Sequence, residues 1–272
     1  MPQLLIGLTL GILIGWLAWR AGALSSSGAW AAALTGGLIF GLGGLPWAVL
    51  LLTFFISSSA LSRLFARRKA SLSEKFSKGS RRDWGQVLAN GGLGASLAVI
   101  YALWPAQPWP WVAFAGAMAA VNADTWATEL GVLNPTPPRL ITNGKPVERG
   151  TSGAISLLGS LAALAGAGLV ALFAAVFSIP SSAPAQEILA MITAALLGGL
   201  SGAFFDSFLG ATVQAIYYCP ACQKETERHP RHLCGAETTQ ARGWGWLDND
   251  WVNFAASLVG ALVAVALWMA LS

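Results

Sequence analysis

Apolar runs long enough to cross a bilayer follow one another from Gln3 to Leu271, and this repetition limits the chain to very few folds. A membrane-spanning helix needs about 20 such residues. Runs of this kind lie near 3–19, 29–45, 46–64, 85–104, 109–130, 151–178, 187–217 and 250–271. The stretch 29–64 is too long for one crossing, and Gly43-Gly44-Leu45-Pro46 supplies the turn that divides it. Trp104-Pro105-Ala106-Gln107-Pro108 supplies another short turn. Only 10% of the residues are charged, against about 25% in soluble domains. The expectation is an all-α polytopic membrane bundle of about eight transmembrane helices, forming a single integral membrane domain over 1–272. Its Gly and Trp enrichment suits close helix contacts and the bilayer interfaces. Met1-Pro2-Gln3 offers no basic n-region, so a cleavable signal peptide is not expected.

Charge gives the orientation. Counted with the adjoining helix ends, the connections 20–28, 65–84, 131–150 and 218–249 hold all 16 Lys and Arg. The alternate set, made of both termini, 45–46, 105–108 and 179–186, holds none. The positive-inside rule places the charged set in the cytoplasm and both termini outside. The formal charge of +4 is thereby explained by topology, without nucleic-acid binding. Eight of the cations lie in 63–84, a patch suited to anionic lipid. Acids gather on the same side. Asp124 lies about seven residues, or roughly 10 Å, from the inner end of its helix. Asp206 falls near the cytoplasmic interface, and Asp248 and Asp250 begin the last helix.

Ionisable groups inside a membrane helix are costly and mark functional sites. The stretch from Asn122 to Ser156 begins with two of them, Asp124 and Glu129. Asp124 with Thr128, and Thr125 with Glu129, are spaced to share helix faces. Two such carboxylates suit Mg²⁺, which takes few carboxylates, several waters and substrate phosphates. Asp206-Ser207 ahead of Gly210 repeats the chemistry, and Asp248-Asn249-Asp250 leads to Asn253 along a polar face. The expected Mg²⁺ ligands are Asp124, Glu129, Asp206, Asp248 and Asp250. Lys145 and Arg149, after an Asn143-Gly144 turn, would meet a phosphate at a helix start formed by Gly150-Thr151-Ser152-Gly153. Arg82, Gln86 and Asn90 adjoin the inner end of another helix. Each pattern has a structural counterpart: acids paired with cations between helices, Lys145 and Arg149 as plain loop charges, Asp248 as a helix cap, and amides as interhelical glue. Taken together they point to a membrane-embedded, metal-assisted phosphoryl-transfer site.

All three cysteines lie in 218–249, the small cytoplasmic Cys/His loop. A cytoplasmic location argues against a structural disulfide. Cys219 and Cys222, followed by His232 and Cys234, can supply four tetrahedral ligands to a structural Zn²⁺. His229 is the alternative imidazole, and reduced free thiols are the competing reading.

Six stretches carry a resemblance. They are Arg82-Asp-Trp-Gly-Gln-Val-Leu-Ala-Asn-Gly91, Asp124-Thr-Trp-Ala-Thr-Glu-Leu-Gly131, Gly150-Thr-Ser-Gly-Ala-Ile-Ser156, Asp206-Ser-Phe-Leu-Gly-Ala-Thr-Val-Gln214, the Cys219-x2-Cys222 loop and Trp246-Leu-Asp-Asn-Asp-Trp-Val-Asn253. In these the chain resembles the integral membrane family that includes transmembrane protein 19 and plant phytyl-phosphate kinase. The resemblance implies a kinase that converts a prenyl monophosphate, phytyl or geranylgeranyl, to its diphosphate. The donor it implies is a nucleoside triphosphate, CTP among the candidates, and the partners are that nucleotide, the prenyl phosphate and the lipid bilayer. Catalysis would fall to Asp124, Glu129, Asp206, Lys145 and Arg149. Substrate contacts would come from Arg82, Gln86, Asn90, Thr125, Thr128, Asn143, Gly150, Thr151, Ser152, Gly153, Ser207 and Asn253. A prenyl-alcohol kinase and a transporter or lipid-flipping protein are the alternatives. Short uncharged outer loops and the lack of a clear repeat weigh against transport.

Overall fold

The computed structural model describes residues 2–66, 75–76, 81–178 and 184–272. Arg67, Arg68, Lys69 and Lys78 of the basic patch lie outside them. Eight long helices account for the apolar runs: α1 (Pro2–Arg20), α2 (Ser26–Gly43), α3 (Leu45–Leu64), α4 (Trp84–Leu103), α5 (Trp109–Gly131), α6 (Leu157–Ser178), α7 (Ala185–Thr212) and α8 (Asn249–Leu271). Six of them, all but α2 and α5, are long and apolar enough to cross a membrane. The chain is thus a polytopic helical bundle.

The bundle forms around α5. Its residues from Pro110 to Ala123 are all buried, walled in by α3, α4, α6, α7 and α8. A helix so enclosed needs close neighbours more than bulky apolar groups, and its sequence is accordingly rich in Ala. A Cβ on Gly116 of α5 would lie 2.5 Å from the Gly260 carbonyl oxygen of α8. On Gly202 of α7 it would lie 2.6 Å from the Ala256 oxygen, so α5, α7 and α8 touch almost backbone to backbone. At the end holding the termini, Trp47 stacks on Phe114 with centroids 4.4 Å apart and meets Trp111 and Tyr101.

The other end carries four connections that touch one another. Arg82 N–H donates to the Ala23 carbonyl at 3.0 Å, and Arg63 Nη2 donates to the Ala21 carbonyl at 2.7 Å. Lys75 Nζ pairs with Glu148 Oε2 at 2.8 Å, while the Lys75 carbonyl accepts from Glu227 N–H at 2.9 Å. Two small sheets depart from the all-helical expectation. In the first, β1 (Arg139–Leu140) pairs antiparallel with β2 (Ala154–Ile155), Leu140 opposite Ala154. In the second, the order is β4 (Lys224–Thr226), β3 (Ile216–Cys219), β5 (Thr239–Arg242). The seventh apolar run, expected to be helical to about 217, is helical only to Thr212 because Ile216–Cys219 joins this sheet.

The sixth run differs more. The helix begins at Leu157, where the sequence suggested about 151. Gly150 and Gly153 adopt φ of 78° and 81°, outside the right-handed helical region. Ser156 performs the capping instead, its Oγ accepting from Gly159 N–H at 3.1 Å. The loop 150–153 packs on the end of α7. A Cβ on Gly153 would strike the Ala211 backbone, and one on Gly210 would lie 2.7 Å from Ser152 Oγ.

Candidate functional site

Where the connections meet, three of them (α3–α4, α5–α6 and α7–α8) and the ends of α3 to α8 line a chamber of about 450 Å³. From α5 come Asp124, Thr125, Thr128 and Glu129, and from α7 come Asp206 and Ser207. Arg82, Gln86 and Asn90 line it at the start of α4, and Asn249 and Asn253 at the start of α8. The loop ahead of α6 contributes Arg149, Gly150, Thr151, Ser152 and Gly153. Ala127, Ala163, Ala203 and Phe204 supply apolar wall.

The acids are held differently. Glu129 is 6% exposed, and its Oε1 accepts from Ser62 Oγ at 2.6 Å. Asp206 Oδ2 is buried with no hydrogen-bond partner among the described residues. Such an atom in a polar chamber calls for an unseen donor or cation. Asp124 and Glu227 lie within electrostatic reach of Asp206. The three acids Asp124, Glu129 and Asp206 face one cavity but form no tight cluster of ligand atoms. Acids so spaced would hold Mg²⁺ only together with waters and substrate phosphates.

The cations are anchored by neutral partners. Arg82 donates from Nη1 to Ser59 Oγ at 3.0 Å and from Nη2 to Ser58 Oγ at 2.9 Å. Its guanidinium centre lies 5.4 Å from the Phe54 ring and 5.7 Å from that of Phe55. Burial pushes the Arg82 guanidinium below its ordinary value, and the Glu129 charge works against this only in part. Arg149 Nη2 donates to the carbonyls of Asn134 and Pro135 at 2.7 and 3.0 Å, which fixes the side chain on the chamber rim.

Several expected residues stand elsewhere. Lys145 and Asn143 sit in the exposed β1–β2 hairpin, where Asn143 Oδ1 accepts from Lys145 N–H at 3.0 Å, and neither lines the chamber. Gly150 to Gly153 do line it, as a glycine-bent loop and not as the start of a helix. Asp248 is the N-cap of α8, with Oδ1 accepting from Asp250 N–H and Trp251 N–H at 3.0 and 3.1 Å. Neither Asp248 nor Asp250 is part of the chamber wall. Gln86 combines two roles, completing a capping box with Asp83 while lining the chamber.

Two other wall residues, Gln214 and Glu227, are not among the expected site residues. Gln214 is 2% exposed; its Oε1 accepts from Ser152 Oγ at 2.7 Å and its Nε2 donates to Glu227 Oε1 at 3.1 Å. Beside the chamber, Trp126 Nε1 donates to Ser57 Oγ, Ser57 to Asn122 Oδ1, and Asn122 Nδ2 to the Gly166 carbonyl. Those bonds tie α3, α5 and α6 together. Glu227 could be suspected only by knowing where its loop lands, whereas Gln214 was visible as the end of the Asp206 motif.

Next to the chamber, the β3–β5 sheet brings together Cys219, Cys222, His232 and Cys234, their ligand atoms all within 4.8 Å of one another. Among the described residues this is the one group of three or more potential ligands that converges so closely. His229 is instead stacked on Tyr217, with centroids 4.3 Å apart. The Ala236 backbone and the His232 ring hold the Cys234 thiol down to about 6, while its contact with Cys234 and burial push Cys222 up to about 11.

Comparison with known proteins agrees with this architecture. The chain is 33% identical to Protein PGR of Arabidopsis thaliana, over 94% of this chain and 93% of that protein. It is 29% identical to an uncharacterised membrane protein of Methanocaldococcus jannaschii, covering 91% and 87% of the two chains. A membrane protein of Synechocystis is 28% identical over 83% of this chain and 78% of its own. No solved structure matches the chain. The family model described as integral membrane protein DUF92 matches residues 9–261, and the chain belongs to that family.

Proposed function

We propose that the chamber transfers a phosphoryl group from a nucleoside triphosphate, with CTP the first candidate, to a prenyl monophosphate such as phytyl or geranylgeranyl phosphate. The observation that carries this reading is the meeting of Asp124, Glu129 and Asp206 with Arg82 and Arg149 around one membrane-embedded cavity. Such a mixture suits polyanions that arrive with a divalent cation. Asp124, Glu129 and Asp206 would hold Mg²⁺, which when bound neutralises phosphate charge.

The acceptor's own phosphate oxygen attacks the γ-phosphorus, and the bond to the β–γ bridging oxygen breaks, its electrons leaving with the nucleoside diphosphate. A phosphate monoester has its second pKa at about 6, so the nucleophile is already largely ionised at neutral pH. The protein therefore needs no strong base, and its contribution is positioning and electrostatics. Arg149, braced by two carbonyls, reaches the incoming phosphates at the rim. Arg82, held by Ser58 and Ser59, provides a fixed positive charge on the α4 side. Thr151 and Ser152 place hydroxyls on the chamber wall. The prenyl tail lies along the apolar wall at Ala163, Ala203 and Phe204.

The test is an assay of the purified protein with CTP, ATP, GTP and UTP, each offered phytyl phosphate, geranylgeranyl phosphate and phytol. Mg²⁺-dependent diphosphate formation is expected. Phosphorylation of phytol alone would move the reading to a prenyl-alcohol kinase, and no transfer to any acceptor would overturn it in favour of transport.

A further inference from the structure

We propose that Cys219, Cys222, His232 and Cys234 bind a structural Zn²⁺, and that this ion keeps Gln214 and Glu227 seated in the chamber wall. The spacing of the four ligand atoms supports the ion. Zn–S and Zn–N bonds of about 2.3 and 2.0–2.1 Å in a tetrahedron imply about 3.8 Å between sulfurs and about 3.6 Å between sulfur and nitrogen. The Cys219 and Cys234 sulfurs lie 3.6 Å apart. His232 Nδ1 lies 3.5 Å from the Cys222 sulfur and 3.2 Å from that of Cys234. The cysteines are unbridged, Cys219 is fully buried and His232 is 4% exposed. Three soft thiolates with one imidazole select zinc over Mg²⁺, and four protein ligands make a closed, structural site.

The path from this site to the chamber is short. Cys219 ends β3 and pairs with Lys224 at the start of β4, and Glu227 follows β4 directly. Fixing Cys219 and Cys222 therefore fixes the turn that delivers Glu227. From there the contacts run through Gln214 to Ser152. Between the two cavities, a second one of about 310 Å³ included, Gly150, Thr151, Ser152 and Glu227 form a shared wall. Three short strands bury too little to hold such a wall alone, and metal binding supplies folding free energy in modules of this size.

The experiment uses full-length protein purified in detergent with a tag free of histidine. Metal analysis should find about one zinc per chain, lost in Cys222→Ser and in His232→Ala. Removing the ion from wild-type protein with a chelator should raise amide hydrogen exchange in both 216–226 and 150–153, and added zinc should restore protection. Protein without zinc, or variants holding as much as wild type, would overturn the site. Exchange confined to 216–226 would overturn the link to the chamber. The chelation arm covers the case of variants that fail to fold. Neither readout uses a nucleotide or a prenyl phosphate, so failure here is distinct from failure of the phosphoryl-transfer reading.

Discussion

Asp206 and Lys145 make the sharpest contrast between single residues. Asp206 brings a buried, unpartnered carboxylate oxygen to the chamber, whereas Lys145 sits on an exposed hairpin off its wall. Asp206→Asn keeps the shape and removes the charge, and should lower turnover by about 10²–10³, the range for losing one well-placed electrostatic group. Asp124→Asn should behave alike, and near wild-type rates in both would remove the metal-site assignment. Lys145→Ala should change turnover by no more than about twofold, as for a surface position. Gln214→Ala strips Ser152 and Glu227 of a shared buried partner, so the thermal midpoint should fall, reflecting about 1–3 kcal/mol. An unchanged midpoint would mean that the contacts from Ser152 to Glu227 carry no weight in the fold.

Among elements, glycines separate helix contact from helix composition. Gly116→Ala forces a Cβ to 2.5 Å from both the Ala264 Cβ and the Gly260 oxygen, and should destabilise by about 1–3 kcal/mol through overpacking of α5 on α8. Gly92→Ala meets nothing closer than 3.9 Å, and should be neutral or stabilise α4 by up to about 1 kcal/mol. Detergent-resistant thermal unfolding of the two variants should move in these unequal ways; equal losses would refute the packing argument. The helices were legible because a bilayer-length apolar run has few other fates. The start of α6 was not, since Gly150 and Gly153 look like small residues opening a helix, and only their positive φ against α7 makes them a loop. Likewise the motif carboxylates Asp124, Glu129 and Asp206 could be nominated from their place in apolar helices. Glu227 could not, because it reaches the chamber through the pairing of β3 with β4 and carries no mark in its own neighbourhood.

For the molecule as a whole, phosphoryl transfer from a triphosphate would require the chamber to open where nucleotides are. The connections gathered at its end of the bundle are those that carry the Lys and Arg, from Arg20 and Arg63 through Arg82, Lys75 and Arg149 to Arg242. Cytoplasmic retention of these loops would put the chamber, the β1–β2 hairpin and the Cys/His sheet on the side of the nucleoside triphosphates. It would leave the Trp47–Phe114 cluster and both termini on the other. Alkaline phosphatase, active only outside the cytoplasm, reports this directly when fused at chosen points in a bacterial host. A fusion after Ser272 should be active, and one after Lys145 inactive. The reverse pattern would open the chamber away from any nucleotide pool, and phosphoryl transfer from a triphosphate would then lose its donor, whatever the carboxylates bind.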